Sequence, residues 1–146
     1  MLPVTSPQAV MTADLKPLGL AIKRVQHRHH RTLDAAFGQI GTTLVQWDAL
    51  RAIANYPDSS AHRLAGLTFQ TDQAFGTLAS RLVDRGLISR EAGEGRAIRH
   101  RLTPEGERML EAGFAVADRV LAESFAPLSV TERRQLLRLL TKMLDE

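Results

Sequence analysis

Between Ser59 and Leu102 the chain is punctuated so closely that few folds remain open to it. Ser59-Ser60 can cap a short helix of about Ala61 to Gly66. Leu67-Thr68-Phe69-Gln70 leaves room only for a tight connection. Thr71 is a good cap for a second helix, and Phe75, Leu78, Leu82 and Val83 recur on one side of it until Gly86 ends it. Leu87-Ile88-Ser89-Arg90 then has strand character, and Glu91-Ala92-Gly93-Glu94-Gly95 is a turn with two glycines. Ala97-Ile98-Arg99-His100-Arg101-Leu102 alternates as a strand does, with Ile98 and Leu102 as its strongest apolar positions. A short helix, a tight turn and a second helix form a helix-turn-helix. The hairpin that follows makes it a winged helix.

The flanks are helical. Leu18, Ile22, Val25, His29, Leu33, Ala36 and Phe37 mark a long amphipathic helix from about Asp14 to Phe37. Thr43-Leu44-Val45-Gln46 reads as a capping box for a helix whose apolar face is Trp47, Leu50, Ile53 and Ala54, stopped by Tyr56-Pro57-Asp58. Thr103-Pro104-Glu105 starts another helix, which runs through Met109, Leu110, Phe114, Ala117, Val120, Leu121 and Phe125 to about Ala126. Ser129-Val130-Thr131-Glu132 is a second capping box, opening a last helix with Leu136, Leu137, Leu139, Leu140, Met143 and Leu144. The fold class is therefore mainly α with a small β-hairpin wing. The expected organisation is a flexible arm over 1–13, an N-terminal dimerisation helix and connection over 14–42, a winged helix-turn-helix over 43–103, and C-terminal dimerisation helices over 104–146. The terminal helices carry more apolar surface than a small winged helix can cover. The two terminal helices packing on each other would hide part of it. A second copy in a two-fold dimer is the favoured cover.

Composition narrows function. The 146 residues include no cysteine, which removes disulfide frameworks, thiolate metal sites and thiol redox sensing. Aromatic residues are 5%, too few for a ring-stacking surface on single strands. Net charge is +3, and 16 of the 19 basic residues are arginines, suited to phosphates and guanine edges. Segment 81–101 holds six arginines against Asp84, Glu91 and Glu94, a surplus equal to that of the whole chain. The N-terminus lacks the basic start and apolar run of an export signal, and no apolar stretch is long enough to span a bilayer. A cytoplasmic protein without membrane contact is expected.

Gln46-Trp47-Asp48-Ala49-Leu50, Leu82-Val83-Asp84-Arg85-Gly86-Leu87-Ile88 and Leu102-Thr103-Pro104-Glu105-Gly106, with the order of elements across about 18–144, resemble the MarR family of bacterial transcription regulators. The resemblance implies a homodimer with interlocked terminal helices, binding a pseudo-palindromic operator in double-stranded DNA. It also implies a repressor released by a small aromatic or phenolic acid. In the major groove a recognition helix presents its N-terminal residues, here Thr71, Gln73 and Thr77, with Arg81 one turn further on. Gln73 can pair with adenine, Thr77 can touch a base, and Arg81 can reach guanine or phosphate. Asp72 would repel phosphate, and its expected role is to favour the helix N-terminus. No lysine or arginine lies within 64–80, so backbone affinity falls to the wing. By resemblance, Glu94-Gly95-Arg96 occupies the wing motif in which an acid holds an arginine that enters the minor groove. Arg99 and Arg101 share one side of their strand and are candidate phosphate contacts, with Arg90 and Arg63 weaker ones.

His27-Arg28-His29-His30-Arg31 invites a metal reading, but no carboxylate or thiolate completes a ligand set and the arginines disfavour a cation, so no metal or other cofactor is expected. By resemblance, His30, Arg31, Trp47 and Arg51 would line a pocket for an acidic aromatic compound. Catalysis has no support: there is no nucleophile elbow, and Gly93-x-Gly95 sits in a hairpin rather than between strand and helix. A winged-helix DNA-binding protein without an effector, and a winged-helix module that contacts protein, are the alternatives.

Overall fold

The computed structural model describes residues 4, 6–93, 95 and 98–144. Among them the chain forms α1 (Pro7–Thr12), α2 (Leu15–Gly38), α3 (Leu44–Asn55), α4 (Ala61–Leu67), α5 (Asp72–Asp84), β1 (Ile88–Ala92), β2 (Ile98–Leu102), α6 (Pro104–Phe125) and α7 (Val130–Leu144). The two strands are antiparallel, Ile88 opposite Leu102 and Ala92 opposite Ile98.

The expected caps form. Thr43, Ser60, Thr71 and Thr103 each accept a bond from the backbone N–H three residues on. Ser129 and Glu132 exchange the two bonds of a full capping box. The box at Thr43 is only half made, because Gln46 Oε1 instead accepts from Arg85 Nη1 at 2.5 Å. Arg85 also donates to the Gly41 carbonyl at 2.6 Å, tying the end of α5 to the α2–α3 connection. The first thirteen residues are not wholly a loose arm: Ser6 caps α1 by accepting from the Ala9 N–H, although no residue of α1 is buried.

The core lies under α3, α4, α5 and the first half of α6. Phe37, Leu50, Leu64, Phe75 and Leu82 are fully enclosed, each such burial contributing ~1.5–3 kcal/mol. Trp47 is the keystone between α3 and α6. It stacks on Phe37 at 5.0 Å between ring centroids, meets Phe114 edge-on, and donates Nε1–H to the Leu110 carbonyl at 3.1 Å. Gly113 makes this possible, since a Cβ there would stand 1.9 Å from Trp47 Nε1. Gly106 plays the same part at the wing base, where a Cβ would stand 2.0 Å from the Leu87 carbonyl oxygen. Thr103 completes that joint by donating to the Gly86 carbonyl at 2.6 Å.

The terminal helices look different. Only Phe37 of α2 is buried, and nothing of α7 is. Leu18, Ile22 and Val25 of α2 face a groove together with Phe125, Leu136 and Leu140. No described helix is long and apolar enough to cross a membrane.

Candidate nucleic-acid interface

The second helix of the helix-turn-helix, α5, buries Phe75, Leu78, Ala79 and Leu82 and presents its other face to solvent. Thr71, Gln73, Thr77 and Arg81 are all exposed on it. Thr71 spends its hydroxyl as the cap, accepting from the Ala74 N–H at 3.1 Å. Thr77 Oγ1 donates to the Gln73 carbonyl at 3.2 Å, so its hydroxyl is engaged within the helix. Gln73 and Arg81 keep their whole side-chain hydrogen-bonding capacity among the described residues.

Asp72 has a partner that the sequence reading missed. His62, on the first turn of α4, brings Nδ1 to 2.9–3.0 Å from both Asp72 carboxylate oxygens. The Asp72 carboxylate is thereby engaged within the helix-turn-helix. The spacing gave a usable signal, since helix starts joined by a tight turn bring such positions close. Phe69 in that turn is 96% exposed and holds φ 56°, a left-handed conformation that a bulky side chain rarely adopts.

On the wing, β2 alternates as expected, with Arg99 and Arg101 both exposed. Ile98, one of its strongest apolar positions, is half exposed, and the buried position of the strand is His100, only 2% exposed. Ile98, His100 and Leu102 share one face by period-two geometry, and the centre of that face is the one that meets the core. Arg99 is exposed opposite Glu91. Arg101 is exposed but engaged: its Nε and Nη2 donate to the two Asp58 oxygens at 2.6 and 2.9 Å. That bond, and the charges of Arg101 and Arg99, hold the Asp58 carboxyl below its ordinary range. Asp58 sits at φ 63° where α3 gives way to α4, so the pair fastens β2 to that corner. A phosphate contact by Arg101 has to compete with this fork. Glu94, Arg96 and Ala97 lie outside the described residues, and with them the expected wing-tip arginine.

The four residues expected to line a ligand pocket do not converge. His30 borders the apolar groove of about 550 Å³ formed by α2, Leu44, Phe125 and α7. Arg31 lies on another face of α2 beside Lys23, Arg24, His27 and Arg28. Trp47 is in the core, and Arg51 pairs with Asp48 at 2.5 Å. His29 also borders the groove, bonded to Ser124 and edge-on to Phe125. His27 and His30 line separate grooves, and no cluster of three or more possible metal ligands occurs among the described residues. The positive charge is also less localised than 81–101 alone implied. Residues 15–33 contain Lys16, Lys23, Arg24, Arg28 and Arg31 and no acid.

The exposed helix beside a hairpin on a shared core has known counterparts. The pattern of the MarR family matches residues 40–97. The chain is 31% identical over 133 residues to the HTH-type transcriptional repressor Rv2887 of Mycobacterium tuberculosis, covering 90% of this chain and 96% of that one. It is 31% identical over 105 residues to the transcriptional regulator HosA of Escherichia coli, covering 70% of this chain and 78% of that one. A crystal structure of the Mycobacterium tuberculosis MarR family protein Rv2887 with p-aminosalicylic acid superposes with a TM-score of 0.74 at 30% identity, over 87% of this chain and 98% of that chain. The same protein in complex with DNA gives 0.74 at 28% identity, over 87% and 97%. With the helix-turn-helix and hairpin in the matching order and the likeness running through both terminal helices, the chain belongs to the MarR family.

Proposed function

We propose that two copies of this chain form a homodimer that binds a pseudo-palindromic operator and represses transcription, and that a small aromatic acid releases it. The observation that carries the DNA reading is α5: a capped helix with a closed apolar back and Gln73, Thr77 and Arg81 free on its front. A relative of nearly the same length has been crystallised with DNA, which supports the same use here. Gln73 and Thr77 read base edges, Arg81 and Arg99 hold phosphates, and Arg96 enters the minor groove at the wing. The exposed leucines of α2 and α7 join the two copies. Release by an acid is supported by the relative's complex with p-aminosalicylic acid and by His29, His30 and Gln26 on the wall of a mainly apolar groove.

The test is a titration of selected operator duplex at fixed salt. Arg96→Ala is expected to weaken binding about tenfold or more and to flatten its salt dependence. Unchanged affinity removes the wing tip from the mechanism. The dispersal of His30, Arg31, Trp47 and Arg51 favours one second reading, a regulator without an effector. Calorimetry with salicylate separates the two: heat that is lost in His30→Ala supports release by ligand, and no heat supports the second reading.

A further inference from the structure

His100 is a buried, titratable group that no part of the DNA contact uses. It lies on β2 between two exposed arginines and joins three parts of the lobe. Its Nδ1 is 3.0 Å from the Ser59 carbonyl, which can only accept, so Nδ1 carries the proton. Its own carbonyl accepts from the Asp58 N–H at 3.3 Å. Its ring meets Phe75 edge-on, with centroids 6.0 Å apart. Phe75 is the fully buried anchor of α5, so the wing strand and the recognition helix touch through this imidazole.

We propose that neutral His100 is a positioning residue for DNA reading, locking the wing strand to the recognition helix, and that its protonation loosens the lock and weakens operator binding. The inference rests on the DNA reading above and extends it.

The surroundings explain why the lock holds only in the neutral state. Arg90 stands directly across the hairpin, and Arg99 and Arg101 flank His100 on its own strand. Asp58, whose backbone N–H bonds the His100 carbonyl, is already taken by Arg101. On α4, His62 pairs with Asp72 and Arg63 covers the Tyr56 ring. On α3, Asp48 and Arg51 pair with each other, and the first-turn acids of α6 are Glu105 and Glu107, both exposed. An imidazolium at His100 therefore meets the Arg90 charge across the hairpin, while Glu91, Arg99 and Arg101 lie on the opposite face of the two strands, and no described acid forms an ion pair with His100. Burial and Arg90 lower the basicity of His100 below its ordinary value, partly offset by the bond to Ser59. Because the folded chain refuses a proton that the unfolded chain accepts, stability falls as pH drops below the ordinary histidine range.

The direction is the opposite of what exposed histidines give. Positive charge added at the protein surface strengthens attraction to phosphate, so a loss of affinity on acidification points to a buried group. The experiment follows the full chain from about pH 8 to about pH 5.5. In the free protein, amide resonances of Asp58, Ser59 and Phe75 are recorded by NMR. In parallel, operator affinity is measured by anisotropy at constant ionic strength. In the wild type the three amides are expected to shift together, and affinity to fall about fivefold or more with the same midpoint. His100→Asn keeps a donor for the Ser59 carbonyl but cannot titrate. It is expected to bind more weakly than wild type near pH 8, because the ring contact with Phe75 is gone, and to lose both the common amide shift and the fall in affinity on acidification. Affinity that rises with acid in the wild type overturns the proposal, with or without a foldable variant. So does an identical pH profile in His100→Asn, or amide shifts that leave affinity unchanged. Absence of operator discrimination near pH 8 would instead strike the DNA reading, while the amide shifts still decide whether His100 is the lock.

Discussion

The winged-helix lobe and the terminal helices are built from similar residues to opposite ends. The lobe closes on itself. Its apolar residues fall inside, with Leu50, Ile53, Leu64, Phe75 and Leu82 no more than 1% exposed. The terminal helices do not close: in α7, Leu137, Met143 and Leu144 are each about two-thirds exposed. Amphipathic period alone does not distinguish the two cases. What distinguishes them is whether a second element of this chain arrives to cover the stripe. The lobe is closed with the help of Phe37 and the inner face of α6, whereas the apolar stripes of α2 and α7 stay open.

That contrast can be broken at either end. Gly113→Ala attacks the lobe at its keystone, because a Cβ would overlap the Trp47 ring. We expect it to cost ~3 kcal/mol or more, seen as a large drop in melting temperature. A melt unchanged from wild type would show that Trp47 has room to move. Leu136→Asp with Leu140→Asp attacks the helices. The double variant is expected to sediment as a monomer with its tryptophan signal intact, and to lose about 100-fold or more in operator affinity as the two half-sites uncouple. Loss of the tryptophan signal would mean that the lobe depends on the interface after all.

Smaller changes sharpen the picture within the lobe. Gln73→Ala is expected to cost ~1–3 kcal/mol of discrimination at one base pair in a competition assay, with little change on random DNA. Arg99→Ala should weaken all sequences alike and lower the salt slope by about 1. Asp58→Asn removes a carboxylate held ionised by Arg101. Because Arg101 holds the carboxyl below its ordinary range, its contribution is present above that range and lost as pH falls through the folded value. The variant's acid-unfolding curve should therefore lie closest to wild type at the lowest pH and fall below it as pH rises. It is the smallest effect of the set, because the pair is open to water.

The sequence was most legible where chemistry is local. Caps at Thr43, Ser60, Thr71, Thr103 and Ser129, the stop at Pro57 and the glycine turns are set by neighbours within a few residues, and they placed nearly every element. It was least legible where contact is distant. Periodicity put Trp47 on the apolar face of its helix and the resemblance put it at a ligand pocket, but nothing local shows that Gly113, 66 residues on, opens a seat for it. Gln46 looked like half of a capping box because Arg85 reaches it only in the folded chain. His100 is an intermediate case. Strand alternation already put it on the face of Ile98 and Leu102, and its polarity concealed that it is the most buried of the three.

The most direct test of the central claim, that paired lobes of this chain read one DNA sequence, is the stoichiometry of binding to a duplex selected from a random library. Analytical ultracentrifugation of the full chain with labelled duplex is expected to show two chains per selected site, with affinity falling steeply as salt rises. A scrambled duplex of equal length should bind at least about 1,000-fold more weakly. One chain per site, or equal affinity for both duplexes, would contradict the account.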